Sequence, residues 1–220
     1  MFDAKRLLDQ LIGSGAAGGF AGGLAGGALA NVLAGKKAKK LAGSALKVGG
    51  LALVGGLAYK AWQNHQQANG QPAGSSVSGG FQPAPADGVF LPQENDAAGS
   101  NALSMMLARA IISAAKADGQ IDTQESQVIL NQINGLDLPA EDKAFLFEEY
   151  ARPLDIEGLT RDIDSPEHAA EVYAASVLML EQPSAPERIY LDTLGRSLGL
   201  DAGLLQEIHT TVETNRSVRA

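Results

Sequence analysis

The chain of 220 residues contains no cysteine, a single tryptophan and only 5% aromatic residues. Without cysteine, disulfide bonds, zinc–thiolate sites and thiol catalysis are excluded. Histidine is scarce as well: His65, His168 and His209 are dispersed, and no two of them have the spacing of a metal-ligand pair. No stretch alternates apolar and polar residues with the period of a β-strand. The sequence offers no catalytic constellation, and we expect a protein that is not an enzyme.

Charge is divided unevenly along the chain. Residues 1–62 carry eight basic and two acidic side chains, a net charge of +6, whereas residues 97–220 carry nine basic and 20 acidic ones, a net charge of −11. A basic residue beside an anionic membrane contributes about 1 kcal/mol of attraction, so the first half suits a membrane surface. The acidic half argues against a nucleic-acid partner, which requires a basic footprint. The acidic pairs Glu141–Asp142 and Glu148–Glu149 are expected to form a solvated helix face.

The N-terminal region, residues 10–62, is rich in glycine and apolar. Its first half, from Gln10 to Gly35, is 26 residues without a charge, and roughly 20 helical residues cross a bilayer core. Small residues four apart share one helix face and allow two helices to pack closely in lipid. The alternative is a soluble flexible arm, because glycine is a poor helix former. Two rows of this spacing, interpreted as helix-packing surfaces for self-association, consist of Gly15, Gly19, Gly23 and Gly27 and of Gly18, Gly22 and Gly26.

A lysine cluster, expected at the membrane surface, follows this charge-free half and consists of Lys36, Lys37, Lys39 and Lys40. Three topologies are open. A single span over 12–35 places the C-terminal domain in the cytoplasm, because more basic residues follow the span than precede it and the more basic side stays in the cytoplasm. A span over 41–62 places the domain in the periplasm. The third topology is a hairpin with the lysine cluster at its tip.

Residues 63–100 are rich in Gln, Gly, Ser and Pro and contain few apolar residues. Such a composition cannot bury enough surface to offset the entropy of ordering. We therefore expect a flexible linker here, between a membrane-associated region at 1–62 and a helical domain at 101–215.

From Asn101 onward, apolar residues recur with helical spacing, which predicts an all-α domain. One helix is expected to end near Asp118–Gly119, and a short helical turn is expected within 154–163. Later helices are expected to start after Asp122 and at Pro139, Ser165–Pro166, Pro186 and Asp201. The inner faces of the last three helices are expected to carry Ala169, Val172, Tyr173, Ser176, Val177 and Leu180; Ile189, Tyr190, Leu194 and Leu198; and Leu204, Leu205, Ile208 and Val212.

The turn after the first of these helices reads ADGQIDTQE, residues 117–125. Asp118, Asp122 and Glu125 offer the hard oxygen ligands that Ca²⁺ or Mg²⁺ prefers. A structural explanation competes with this one. Asp122 as N-cap with Glu125 three residues later forms a capping box, and Gly119 supplies the backbone angles of the turn.

Two motifs point to a family: A-D-G-Q-I-D-x-x-E at 117–125 and P-E-R-I-Y-L-D-x-L-G-R-S-L-G-L at 186–200. With the glycine-rich region and polar linker before them, they resemble the YebE-like uncharacterised bacterial inner-membrane proteins. The C-terminal domain of that family is grouped with the TerB-like helical fold of the tellurite-resistance type. The resemblance implies a helical bundle with acidic turns, some relatives of which bind a divalent metal. That role would fall on Asp118, Asp122 and Glu125.

Together these features predict a membrane-tethered, non-enzymatic helical module of the bacterial inner membrane, with its C-terminal domain in the cytoplasm. We expect it to recruit an unidentified protein partner or to sense a divalent cation, Ca²⁺ or Mg²⁺, in an envelope- or stress-related role. Two alternatives stay open. One is a metal-dependent enzyme or signalling subunit, and the other is a soluble stress protein that assembles through its glycine-rich arm.

If the glycine rows pack helices together, replacing both Gly19 and Gly23 with leucine should reduce the oligomer size, because the larger side chains keep two backbones apart. Sedimentation of the detergent-solubilised chain measures the size. The matched control is the double replacement of Ala21 and Ala25 with leucine, which has the same spacing on another helix face. An unchanged oligomer size in the glycine variant would contradict the prediction.

Overall fold

The computed structural model describes residues 3–13, 49–68, 84–85, 89–93, 95–119, 130–131 and 133–219. Within these ranges all regular structure is helical, which confirms the all-α class. Residues 130–131 and 133–135 are helical. The longer elements are α1 (Ala4–Gly13), α2 (Gly50–Ala68), α3 (Ala97–Ala115), α4 (Ala140–Ala151), α5 (Ile156–Thr160), α6 (Pro166–Met179), α7 (Ala185–Ser197) and α8 (Ala202–Arg219).

The last three helices begin where the sequence predicts, because capping side chains satisfy their first backbone N–H groups. Ser165 Oγ accepts a hydrogen bond from the His168 N–H at 3.1 Å, with a proline in the first turn of α6. Ser184 and Glu187 form a capping box at the start of α7. Asp201 Oδ1 accepts from the Leu204 N–H at 3.0 Å and so caps α8.

Helix α6 lies at the centre and packs against α2, α3, α7 and α8. All of its residues predicted for the inner face are buried. On α7 the buried stripe runs through Glu187, Tyr190, Leu191 and Leu194, spaced at three and four residues. Ile189 falls outside this stripe and is 65% exposed, so its assignment to the core was wrong.

Helices α1 and α2 belong to the same core as the C-terminal helices. Helix α1 packs on α3 and α2, and helix α2 packs on α6 and α8. Leu7, Leu8 and Leu11 of α1 are at most 1% exposed. This packing differs from the division expected from the sequence, which separated residues 1–62 from the helical domain. The apolar side chains of both helices are buried against protein, and that burial stabilises the docking.

Two aspartates near the N-terminus act as helix caps. Asp3 Oδ1 accepts from the Arg6 N–H at 3.0 Å, at the start of α1. Asp9 Oδ1 accepts from the Gly50 N–H at 2.6 Å, which caps α2 across a gap of 41 residues in sequence. The end of α1 therefore lies directly beside the start of α2.

Glycine at position 55 allows α2 to approach α6 closely. A Cβ atom added at Gly55 would lie 2.8 Å from Leu91 Cδ2 and 3.0 Å from Glu171 Oε1. Both distances are shorter than a comfortable van der Waals contact, so a larger residue here would push the helix or its neighbours apart.

Part of the expected linker packs on α2. Phe90 is 4% exposed and contacts Tyr59 and Trp62 edge-to-face, with ring centroids 5.3 and 6.0 Å apart. Aromatic pairs in this geometry stabilise beyond the area they bury. Phe90 and Leu91 thus pack this part of the expected linker against the bundle, which the average composition of 63–100 did not indicate. Residues 63–68 extend α2, and residues 97–100 begin α3.

No helix in the described ranges is both long enough and apolar enough to cross a bilayer. The predicted membrane helix is therefore not supported by these helices. Residues 50–62 of the second proposed span lie in α2. Nearly all of the first proposed span, both glycine rows and the four lysines lie outside the described residues.

Leu57→Ala should lower the free energy of unfolding by about 2–5 kcal/mol, because Leu57 is 2% exposed and its loss leaves a cavity between α2 and its neighbours. Urea denaturation of the 220-residue chain measures the change. Gln67→Ala, at an exposed position of the same helix, is the control and should change stability by less than about 0.5 kcal/mol. Equal stabilities for the two variants would mean that α2 is not part of the cooperative fold.

Candidate functional site

The turn at residues 117–125, called the acidic turn below, starts where the sequence predicts. Helix α3 ends at Ala115, and the Gly119 N–H donates to Lys116 O at 3.0 Å to close the turn. Gly119 has φ +72°, a left-handed conformation that glycine adopts without strain. The role expected for Gly119 is therefore confirmed.

Of the three candidate metal ligands, only Asp118 lies within the described residues; Asp122 and Glu125 lie outside them. The described part of the chain contains no group of three or more His, Asp or Glu side chains arranged to hold a metal ion. Whether the turn forms a cation site or a capping box therefore stays a prediction.

Lys116, two residues before Asp118, joins α3 to the end of α4. Its side chain is buried, and its Nζ donates to Glu149 O at 2.8 Å and to Arg152 O. Glu149 O belongs to the last turn of α4, and Arg152 O follows directly after that helix. The last four carbonyl oxygens of a helix lack intrahelical partners, and a cation is favourable there. Burial lowers the pKa of Lys116; the negative charge of Glu149 opposes this shift and the positive charge of Arg152 adds to it.

Glu149 is held between two arginines beside Lys116. Its Oε1 lies 3.5 Å from Arg109 Nε and 3.1 Å from Arg152 Nη1. The Glu149 side chain is only 13% exposed, so its assignment to a solvated helix face was wrong. Arg109 also stacks over the ring of Phe145, with its Cζ 5.8 Å from the centroid.

These groups border a small polar cleft of about 140 Å³, which Ser113, Asp155 and Leu159 also line. Ligand pockets for drug-sized molecules span about 300–1,000 Å³, and a water molecule occupies about 30 Å³. The cleft can hold a few waters or a small ion rather than a substrate. Its buried lysine and partly buried glutamate are already paired, which suits them to linking helices.

A second polar network crosses the centre of the bundle. Tyr190 Oη lies 3.1 Å from Ser176 Oγ, and both hydroxyls lie 3.5 Å from Ala110 O on α3. Tyr173 Oη lies 3.0 Å from His209 Nε2 and links α6 to α8. Burial raises the pKa of Tyr173 to about 12 and lowers the pKa of His209. Both groups are therefore favoured in their neutral forms, which suits this hydrogen bond.

Sequence reasoning missed Lys116, Glu149 and two of the histidines. His209 is hydrogen-bonded inside the bundle, and His65 on α2 pairs with Asp201 Oδ2 at 3.1 Å. The available signal was weak. A lysine in the last turn of a helix often caps that helix, whereas Lys116 caps a different one.

The described helices and the turn after α3 define the class of the protein: an all-α protein. Residues 18–212 match the family described as "Protein of unknown function (DUF533)", and the chain belongs to the DUF533 family. The TerB-like part of the resemblance is thereby confirmed.

One relative is an uncharacterized protein in the ampR 5′ region of Yersinia enterocolitica. It is 30% identical over 92 residues, which cover 42% of this chain and 66% of that protein. The match thus spans slightly less than two thirds of the relative. No solved structure matches the chain.

If the acidic turn binds a cation, calorimetric titration of Ca²⁺ or Mg²⁺ into the 220-residue chain should give saturable heat that Asp118→Ala abolishes, because the substitution removes a carboxylate ligand. Asp162→Ala, an exposed carboxylate outside the turn, is the control and should leave the titration unchanged. Absence of heat with both metals would contradict a metal role and leave the capping explanation.

Proposed function

We propose that this protein is a non-enzymatic helical module that associates with the cytoplasmic face of the bacterial inner membrane through residues 14–48. The acidic helical domain would then be held at the membrane to recruit a partner or to respond to a divalent cation. The observation that carries the proposal is the charge-free run at 14–35 followed directly by four lysines. The contact between Asp9 Oδ1 and Gly50 N, at 2.6 Å, determines how this segment can enter and leave a membrane.

This contact bears on the topology. A single span over 12–35 would place α1 and α2 on opposite sides of a bilayer, whereas they pack against each other and share a core. A return crossing needs two spans of roughly 20 residues, about 40 in all, and the segment has 35. A first leg of roughly 20 residues would bring the lysine cluster to the far side of the bilayer, and only residues 41–48 would then remain for the return leg. We therefore favour insertion at the interface, with entry and exit on the same side.

The distribution of charged residues also supports binding at the cytoplasmic face. Residues 14–35 contain no charge, and the lysines at 36, 37, 39 and 40 follow them directly. Apolar residues inserted at the interface and lysines among anionic headgroups are the combination that binds the cytoplasmic leaflet. The net charge of −11 on residues 97–220 favours a basic partner surface over nucleic acid.

The paired groups of the cleft support a non-enzymatic role. Lys116 donates to two carbonyls and Glu149 contacts two arginines, so each has a structural use. Self-association through the glycine rows would add oligomers at the membrane. A soluble assembly formed by the same segment is the outcome expected if lipid binding fails.

Flotation with vesicles of phosphatidylcholine and phosphatidylglycerol tests the proposal. The unmodified chain should float with these vesicles and less with pure phosphatidylcholine. Replacing Lys36, Lys37, Lys39 and Lys40 with glutamine should weaken binding by up to about 4 kcal/mol, roughly a thousandfold, at about 1 kcal/mol for each charge. High salt should reduce binding of the unmodified chain, because it screens the attraction.

The control changes the same number of charges elsewhere: glutamine at Lys5, Arg161, Arg188 and Arg196, all of them exposed. This variant should bind nearly as well as the unmodified chain. Failure of the unmodified chain to float with anionic vesicles would refute the proposal. If both variants lost the same amount of vesicle binding, the net charge of the chain and not the lysine cluster would explain the loss.

A further inference from the structure

A buried carboxyl group lies beside each of the two helices that flank residues 14–48. The first belongs to Glu171 on α6, which is 0% exposed. Its Oε1 would lie 3.0 Å from a Cβ atom added at Gly55, so the carboxyl group lies against the backbone of α2. Within the described part of the chain, neither carboxylate oxygen has a hydrogen-bond partner. An ionised carboxylate in such a place is strongly unfavourable.

The second carboxyl group belongs to Asp142 on α4, which is also 0% exposed. Asp142 was therefore wrongly assigned to a solvated face. Its Oδ1 accepts from the Asp3 N–H at 3.4 Å, beside the start of α1. Its Oδ2 has no partner among the described residues.

We propose that protonation of Glu171 and Asp142 controls the docking of α1 and α2: the protonated carboxyl groups allow both helices to pack on the bundle, and ionisation loosens them. The fold thus contains an acid-favoured latch, by which we mean these two carboxyl groups and the helices that cover them. Because α1 and α2 bracket residues 14–48, opening the latch changes how that segment is anchored. The proposal concerns the domain itself and holds whether or not the segment binds lipid.

Burial raises the pKa of both groups. For Glu171 the negative charge of Glu167 on the same helix raises it further. For Asp142, the negative charges of Asp3 and Glu141 also raise the pKa. The hydrogen bond from the Asp3 N–H and the positive charge of Arg6 lower it. A raised folded-state pKa means that the folded chain holds protons that the unfolded chain releases. Stability from these groups is complete below the ordinary carboxyl pKa, about 4, and is lost as pH rises through the raised folded values.

Basic side chains and histidines on the helices packed against Glu171 are largely engaged elsewhere. On α2, His65 pairs with Asp201 and Lys60 is partly exposed. On α3, Arg109 pairs with Glu149.

The polar groups of the remaining neighbours are also in use. On α8, Arg216 donates to Val177 O and Leu178 O, and His209 bonds to Tyr173. On α7, Tyr190 bonds to Ser176. None of these described groups donates a hydrogen bond to Glu171. No described counter-ion therefore offsets its ionisation.

Hydrogen exchange of the 220-residue chain, read by mass spectrometry, tests the latch. After correction for intrinsic exchange rates, protection of the α1 and α2 peptides should fall by about tenfold or more between about pH 5 and pH 8, since one pKa unit corresponds to tenfold. Peptides from α7 serve as the internal reference and should change much less. Glu171→Gln should remove most of the pH dependence in α2, and Asp142→Asn most of that in α1.

Glu167→Gln is the matched control, because it removes a neighbouring charge and leaves the buried carboxyl in place; it should keep most of the pH dependence. Glu171→Met replaces the carboxyl with an apolar side chain of similar length and covers the case in which the glutamine variant does not fold. Equal protection of α1 and α2 at both pH values would overturn the proposal. So would a pH dependence in Glu171→Met that matches that of the unmodified chain.

Discussion

The close packing of α2 on α6 is the constraint on which the rest of the structure depends. Helix α6 is central and buried on nearly all sides, so it requires a neighbour on each face. Helix α2 covers one of them, and Gly55 lets it come close enough to bury Glu171. Helix α1, Phe90 and α8 all pack on α2 in turn. The N-terminal helices are thus structural parts of the bundle rather than attachments to it.

Local signals were sufficient to place the C-terminal helices. Ser165, Ser184 and Asp201 cap their helices through contacts within three residues, which a linear pattern can reveal. Membership of α2 in the core could not be read in this way, since its apolar residues suit a membrane and a protein interior equally well. Asp142 accepts a hydrogen bond from Asp3, which lies 139 residues away in sequence. Such contacts exist only once the chain is folded.

The candidate site also has some features that the local sequence predicts and others that depend on tertiary contacts. The turn that follows α3 and closes at Gly119 depends on local backbone chemistry and was predictable. The roles of Lys116 and Arg216 were not, because each satisfies carbonyl oxygens at the end of a different helix, α4 and α6 respectively. Both cations replace water at helix ends that face other helices. These two basic side chains thus link one helix to the end of another.

The hydrogen bond from Gly50 to Asp9 has a consequence for the segment between the two helices. It places the points at which residues 14–48 leave and re-enter the domain side by side. Anything that binds this segment therefore acts on α1 and α2 together rather than on one of them.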